Sequence, residues 1–278
     1  MHVAVCPLLQ RQLAYPQGSF SQSGVSPWIG LLFRAGVGTI VVATVFRGSN
    51  KVNFMRAATN RMLAGRGLLG VLGTIAYYFT IPALGPGKAT LISNTYVVIA
   101  ALMAAWILRE AFSFGKLAGN LLAMVGLTLL LWPSLTAGSV GWYEMLAVVG
   151  ALAAAGTVII IRQLTRSETT AMIYASQCIY VLASAIPFAC IELMHHSLTV
   201  GDWTLLLFAG GSATVGQLAM TEGFRHLTVS VGGVFQICVP IVISLGSVLL
   251  FQESFMAVQV AGAVLILAGC YWVMTLRS

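Results

Sequence analysis

Long apolar runs, each ended by a short polar segment, set the rhythm of this chain. Nine such runs follow one another, at about 28–46, 67–84, 88–108, 114–133, 142–161, 171–193, 203–224, 229–251 and 255–275. A helix needs about 20 mostly apolar residues to cross the hydrocarbon of a bilayer, and each run is near that length. The breaks carry turn or loop chemistry: Gly85-Pro86-Gly87, PSLTAGSVG from Pro133, the basic stretch RGSNKVNFMRAATNR from Arg47, and HHSLTVGD from His195. Residues 1–26 form a polar tail. Its short apolar stretch is too brief for a span and lacks the basic start of a signal peptide. The pattern predicts an all-α fold, a polytopic membrane helix bundle with nine transmembrane helices.

The pattern also repeats. ILREAFSFGKLAGNLLAMVG begins at Ile107 and LFQESFMAVQVAGAVLILAG at Leu250. Glu110 and Glu253, Phe112 and Phe255, Gly119 and Gly262, and Gly126 and Gly269 are all separated by 143 residues. The same offset joins Gly67 to Gly210, Gly73 to Gly216 and Leu84 to Leu227. The second to fourth runs therefore recur as the seventh to ninth. An odd number of spans separates equivalent runs, so the halves are expected to be inverted in the membrane. Inverted repeats build many secondary transporters, with the substrate site between the halves near the bilayer midplane.

Composition agrees with lipid as the solvent. The chain has 278 residues, 59% hydrophobic and 8% charged, with a mean hydropathy of +0.94. A soluble domain carries about 25% charged residues. The net charge of +7 does not point to nucleic acid, because the basic residues sit in short loops rather than on one polar face. Eleven of the fourteen Lys and Arg residues fall in alternate loops: the segment from Arg47 to Arg66, Arg109 with Lys116, Arg162 with Arg166, Arg225, and Arg277. The positive-inside rule makes those loops and the C-terminus cytoplasmic. The five cysteines have no metal or disulfide spacing. His195 and His196 lie outside any HExxH pattern, and the acids are scattered at helix ends. No catalytic residues, metal site or cofactor are expected.

YVVIAALMAAWILREAF and PIVISLGSVLLFQES resemble the apolar-run-then-Glu ending of the EamA repeat in the drug/metabolite transporter superfamily. GQLAMTEGFRHLTVSVGGVFQICVP is similar to that family's third-helix ending, short loop and Pro-bearing helix, and SPWIGLLFRAG to its second helix. The resemblance covers about residues 26–275. It implies ten helices in two five-helix repeats, both termini in the cytoplasm, and transport of small metabolites driven by gradients or exchange. Two departures stand out. The polar tail occupies the place of the family's first helix, and Val97 stands where the second repeat has Pro240. On this basis residues 27–133 form an incomplete first repeat and 142–275 the second. The expected function is a secondary transporter that exports a small metabolite such as an amino acid by alternating access, in a bacterial inner membrane. The alternative is a truncated, non-transporting membrane protein with a structural or receptor role. The expected partners are a small-molecule substrate and the lipid bilayer.

Polar groups inside spans face a partner or a wet cavity, and the repeat should present equivalent positions to that cavity. Ser93 is equivalent to Gln236, and Thr74 to Gln217. The candidate substrate site is Ser93, Asn94, Tyr96, Gln177, Gln217 and Gln236, with helix-to-helix hydrogen bonding as their other role. The lining is polar and mostly uncharged, which suits zwitterions or neutral metabolites. Glu222 is either a buried proton carrier for coupling or the partner of Arg225 at i+3. Arg34 either meets a substrate carboxylate or snorkels outward. Glu110 and Glu253 are expected to cap the helices that follow them. The spacing of Gly115, Gly119, Gly126, Gly262 and Gly269 marks close-packed helix faces, within the protomer or at a homodimer seam.

Overall fold

The computed structural model describes residues 26–46, 52–110, 113–132, 141–195, 198–242 and 256–276. Ten helices are found among them: α1 Pro27–Val45, α2 Phe54–Thr59, α3 Arg61–Asn94, α4 Tyr96–Ile107, α5 Phe114–Leu130, α6 Trp142–Leu164, α7 Thr170–His195, α8 Val200–His226, α9 Val229–Ile237 and α10 Ala257–Thr275. No strand occurs among the described residues. Seven helices are long and apolar enough to cross a membrane by length and composition, and two shorter apolar ones cover Phe114–Leu130 and Val229–Val242. Their positions correspond to the nine apolar runs.

Local chemistry starts these helices where it should. The Ser26 side chain accepts from the Trp28 N–H at 3.2 Å, with Pro27 in the first turn. Asn60 accepts from the Met62 and Leu63 N–H groups to open α3. Thr199 and Asp202 cap α8 reciprocally, through bonds of 2.9 and 3.2 Å. The chain reverses within α3 at Gly85, whose φ of 76° lies in the left-handed region that glycine alone enters cheaply. The Tyr77 hydroxyl meets Thr90 Oγ1 at 2.9 Å across this turn.

The outside of the bundle is apolar. Trp106, Phe208, Val215 and Val242 are each more than two-thirds exposed. Water would not support so much exposed apolar surface, whereas lipid does. Exposed Trp106, Trp132, Trp142, Trp203 and Trp272 sit near helix ends, where indoles anchor to the membrane interface.

α5 and α10 pack tightly through glycine. A Cβ at Gly126 would lie 2.7 Å from the Gly262 carbonyl oxygen, and one at Gly269 would lie 2.7 Å from that of Gly119. Gly119 thus faces Gly269 while Gly126 faces Gly262, so the two helices run antiparallel. Under the 143-residue offset Gly119 corresponds to Gly262 and Gly126 to Gly269. Each contact is therefore the image of the other under a two-fold axis between the helices. This seam lies within one chain.

Two basic residues are placed differently from the loop positions expected of them. Arg66 lies inside α3 and is 1% exposed, and Lys116 lies in the first turn of α5, 6% exposed. For Arg66 the helix begins earlier than the apolar run, because Asn60 caps it upstream; Lys116 falls within the first turn that Ser113 caps.

Candidate functional site

A small cavity opens between α1, α3 and α7. Leu31, Arg34 and Ala35 face it from α1, Thr74 from α3, and Tyr174, Gln177, Cys178 and Val181 from α7. The offset of 143 residues pairs Leu31 with Tyr174, Arg34 with Gln177 and Ala35 with Cys178. The same face of the same helix, taken from each half, therefore forms opposite walls. Gly38 lets the walls approach: a Cβ there would meet the Tyr174 hydroxyl and come within 2.9 Å of Cys178 Sγ.

The polar groups are joined in two arms. Arg34 Nη2 donates to Gln217 Oε1 at 3.2 Å. Arg66 Nη2 donates to Gln177 Oε1 at 2.6 Å. Gln217 and Thr74 are equivalent under the repeat, as are Arg34 and Gln177. Each arm thus runs from one half of the chain to the other. Thr74 Oγ1 donates to the Gly70 carbonyl at 2.7 Å, and the Tyr174 hydroxyl bonds with Thr214 Oγ1 at 3.1 Å.

Arg66 belongs to this cluster through its side chain. It extends along α3 toward Thr74, so that a Cβ at Gly70 would lie 2.7 Å from Arg66 Nη1. Arg66, Gly70 and Thr74 are four residues apart, one face of the helix. A charged side chain within a membrane span is costly unless it is paired. Two guanidinium groups in one cluster are therefore a costly arrangement.

Of the six residues predicted to bind substrate, Gln177 and Gln217 are in this cluster. Ser93, Asn94, Tyr96 and Gln236 lie outside the cavity lining. The amide of Asn94 turns back to the Thr90 carbonyl of its own helix at 2.8 Å. Tyr96 packs against two clusters of buried apolar side chains. α4 meets α9 by apolar contact, where a Cβ at Gly233 would lie 2.9 Å from Val97. Arg34, with two roles left open from the sequence, points into the cavity. The apolar run begins at residue 67 and so leaves Arg66 in a loop, whereas α3 begins at Arg61 and carries it into the bundle. The stripe Arg66, Gly70, Thr74 and the pairing of Arg34 with Gln177 were the signals available for both.

The acids are used elsewhere. Glu222 is half exposed at the last turn of α8, beside Arg225 at 3.4 Å and His226 at 3.3 Å, and accepts from the Thr170 hydroxyl. It is not the buried carboxylate that proton carriage from within the bundle would need. Glu110 does not cap α5, whose first turn is capped by Ser113. Its Oε2 accepts from the Val229 N–H at 3.0 Å, and its Oε1 from Arg162 Nε at 3.1 Å. It therefore caps α9, a helix of the other half. Glu253 lies outside the described residues. Lys88 pairs with Glu144 at 2.6 Å and Arg56 with Glu168 at 2.5 Å. Among the described residues, no group of three metal-ligating side chains occurs.

The chain matches the EamA-like transporter family twice in succession, over residues 13–132 and 141–275. Two relatives bear the name pseudopaline exporter CntI, from Pseudomonas aeruginosa strains UCBPP-PA14 and PAO1. The first is 27% identical over 245 residues, covering 86% of this chain and 83% of the relative. The second is 28% identical over 249 residues, with the same coverage. A solved crystal structure superposes with a TM-score of 0.73 at 17% identity, over 96% of this chain and 91% of the other; that likeness is one of fold. A helical bundle with an apolar exterior, built of two halves that each match the same family, is an integral membrane protein, and the chain belongs to the EamA-like transporter family of the drug/metabolite transporter superfamily.

Proposed function

We propose that this protein exports a small amino-acid-like metabolite across a bacterial inner membrane by alternating access, through the cavity between α1, α3 and α7. The observation that carries this is the symmetry of the lining: Arg34 and Gln177, repeat equivalents, reach across to Gln217 and Arg66. When equivalent helices of inverted halves exchange conformations, a cavity between them opens to each side in turn. The direction of transport is supported by the exporter name of the two relatives. The driving force is a gradient or exchange, and the C-terminus faces the cytoplasm, on the side of the positive loops.

The test is efflux. Cells overproducing the chain should tolerate at least one member of a panel of toxic amino-acid analogues better than vector controls. Gln217→Leu, which removes the acceptor for Arg34, should lose that tolerance while reaching the membrane in equal amount. Absence of protection against the whole panel, or full protection from Gln217→Leu, would sink this proposal.

A further inference from the structure

Arg66 is 1% exposed, and its Nε and Nη1 have no hydrogen-bond partner among the described residues. Only Nη2 is engaged, by the neutral oxygen of Gln177. Arg34, which lines the cavity that Gln177 also faces, is likewise bonded to a neutral amide oxygen, that of Gln217. No acidic residue lines the cavity. Glu110, Glu144, Glu168 and Glu222 are each paired with another cation, and Asp202 caps α8. Glu192 lies on α7 some 15 residues beyond Gln177, about 22 Å along the helix. Buried charges in proteins are paired, since an unpaired one carries its full desolvation cost. Here one guanidinium lines the cavity, a second lies behind the lining residue Gln177, and no carboxylate among the described residues pairs with either.

We propose that the substrate supplies the counter-ion: the cavity takes a small organic anion, whose carboxylate docks between Arg34 and Arg66. Guanidinium N–H groups match carboxylate oxygens in planar geometry and make hydrogen bonds about twice as strong as neutral ones. Gln177 and Gln217 are positioning residues. Each holds one guanidinium by a single oxygen and leaves its other N–H groups to the ligand. An ammonium or other cation finds no acid in this lining and is repelled by both arginines. This replaces the zwitterionic or neutral preference drawn from the sequence, where Arg66 stood in a loop. The inference rests on the transport role proposed above and narrows it to net-anionic substrates.

The test measures binding to the purified full chain in lipid nanodiscs, by thermal shift and calorimetry. The probes are succinate, L-glutamate and N-acetyl-L-alanine, each beside its neutral amide: succinamide, L-glutamic diamide and N-acetyl-L-alaninamide. At least one carboxylate should stabilise the protein, and its amide should bind at least tenfold more weakly. Arg66→Gln and, as a second variant, Arg34→Gln should each weaken carboxylate binding by about tenfold or more. Without ligand, Arg66→Gln should melt at a higher temperature than the parent, because a buried unpaired charge has been removed. Equal binding of amides and acids, undiminished binding by both variants, or no binding of any carboxylate overturns the inference. So does a lower melting temperature for unliganded Arg66→Gln, which would make Arg66 a structural residue. Efflux that persists in cells without carboxylate selectivity overturns this inference alone, whereas loss of all efflux overturns the transport proposal beneath it.

Discussion

Glu110 illustrates how one side chain ties the halves together. Two residues beyond α4, Arg109 is held in the left-handed region at φ 53°, and this sharp exit turns Glu110 toward α9. There its carboxylate meets the positive end of a helix, while Arg162 Nη1 donates to the Phe224 and Arg225 carbonyls at 2.8 Å, the negative end of α8. Removing the carboxylate leaves both Arg162 and the Val229 N–H short of a partner. Glu110→Ala should therefore lower stability by about 1.5–3 kcal/mol, the range for hydrogen bonds to charged groups. Glu110→Gln should cost less, since its amide oxygen still accepts from Val229. Unfolding in detergent measures this, and transport per folded molecule should stay at the parent level. A Glu110→Ala protein with normal stability and no transport would place this residue in the transport cycle instead.

Between elements, the α5–α10 seam is the most demanding contact. A Cβ at Gly262 would lie 2.6 Å from the Gly126 carbonyl oxygen. That neighbour is backbone, so the whole helix must move to make room. Gly262→Ala should cost about 1–3 kcal/mol by overpacking. Gly216 in α8 provides the contrast, with nothing within 4 Å of a Cβ. Gly216→Ala should be neutral or stabilise by up to about 1 kcal/mol, because alanine loses less backbone entropy in a helix. Matched thermal melts decide the matter, and equal melting of the two variants contradicts a close glycine seam. The seven-residue spacing of these glycines was plain in the sequence. Spacing along one helix does not say which helix lies opposite, so a homodimer seam stood beside an internal one until the antiparallel pairing was seen.

For the molecule as a whole, charge separates the two ends of the bundle. Arg56, Arg162 and Arg225 gather with Glu110, Glu168 and Glu222 at one end, through direct side-chain bonds or ion pairs. Among the described residues, the Lys88–Glu144 pair is the ion pair near the far end of α6 from Arg162. The end rich in arginine is expected in the cytoplasm. A fluorescent protein that matures only in the cytoplasm, fused after Ser278, should therefore shine, and one that requires export should not. The reverse result would invert the orientation and with it the direction assigned to the positive loops.

The sequence alone determined the solvent, the helical class, the positions of the spans and the duplication. Each of these is a property of residues near one another in the chain, or of a fixed offset along it, and hydropathy and spacing record them directly. It also singled out Gln177 and Gln217, because polar residues within apolar runs are few. Tertiary structure decided which of the polar residues meet. Ser93, Asn94, Tyr96 and Gln236 had equal standing by sequence, yet none of them lines the cavity; Asn94 bonds within its own helix and Tyr96 packs among apolar side chains. Arg66 counted as a loop charge, and only the upstream cap at Asn60 draws it into the bundle. Glu110 caps a helix 119 residues away rather than the next one. The physical reason is common to all three. Convergence at a site depends on the rotation of each helix about its axis and on how helices cross, and both are set by packing between segments far apart in the chain.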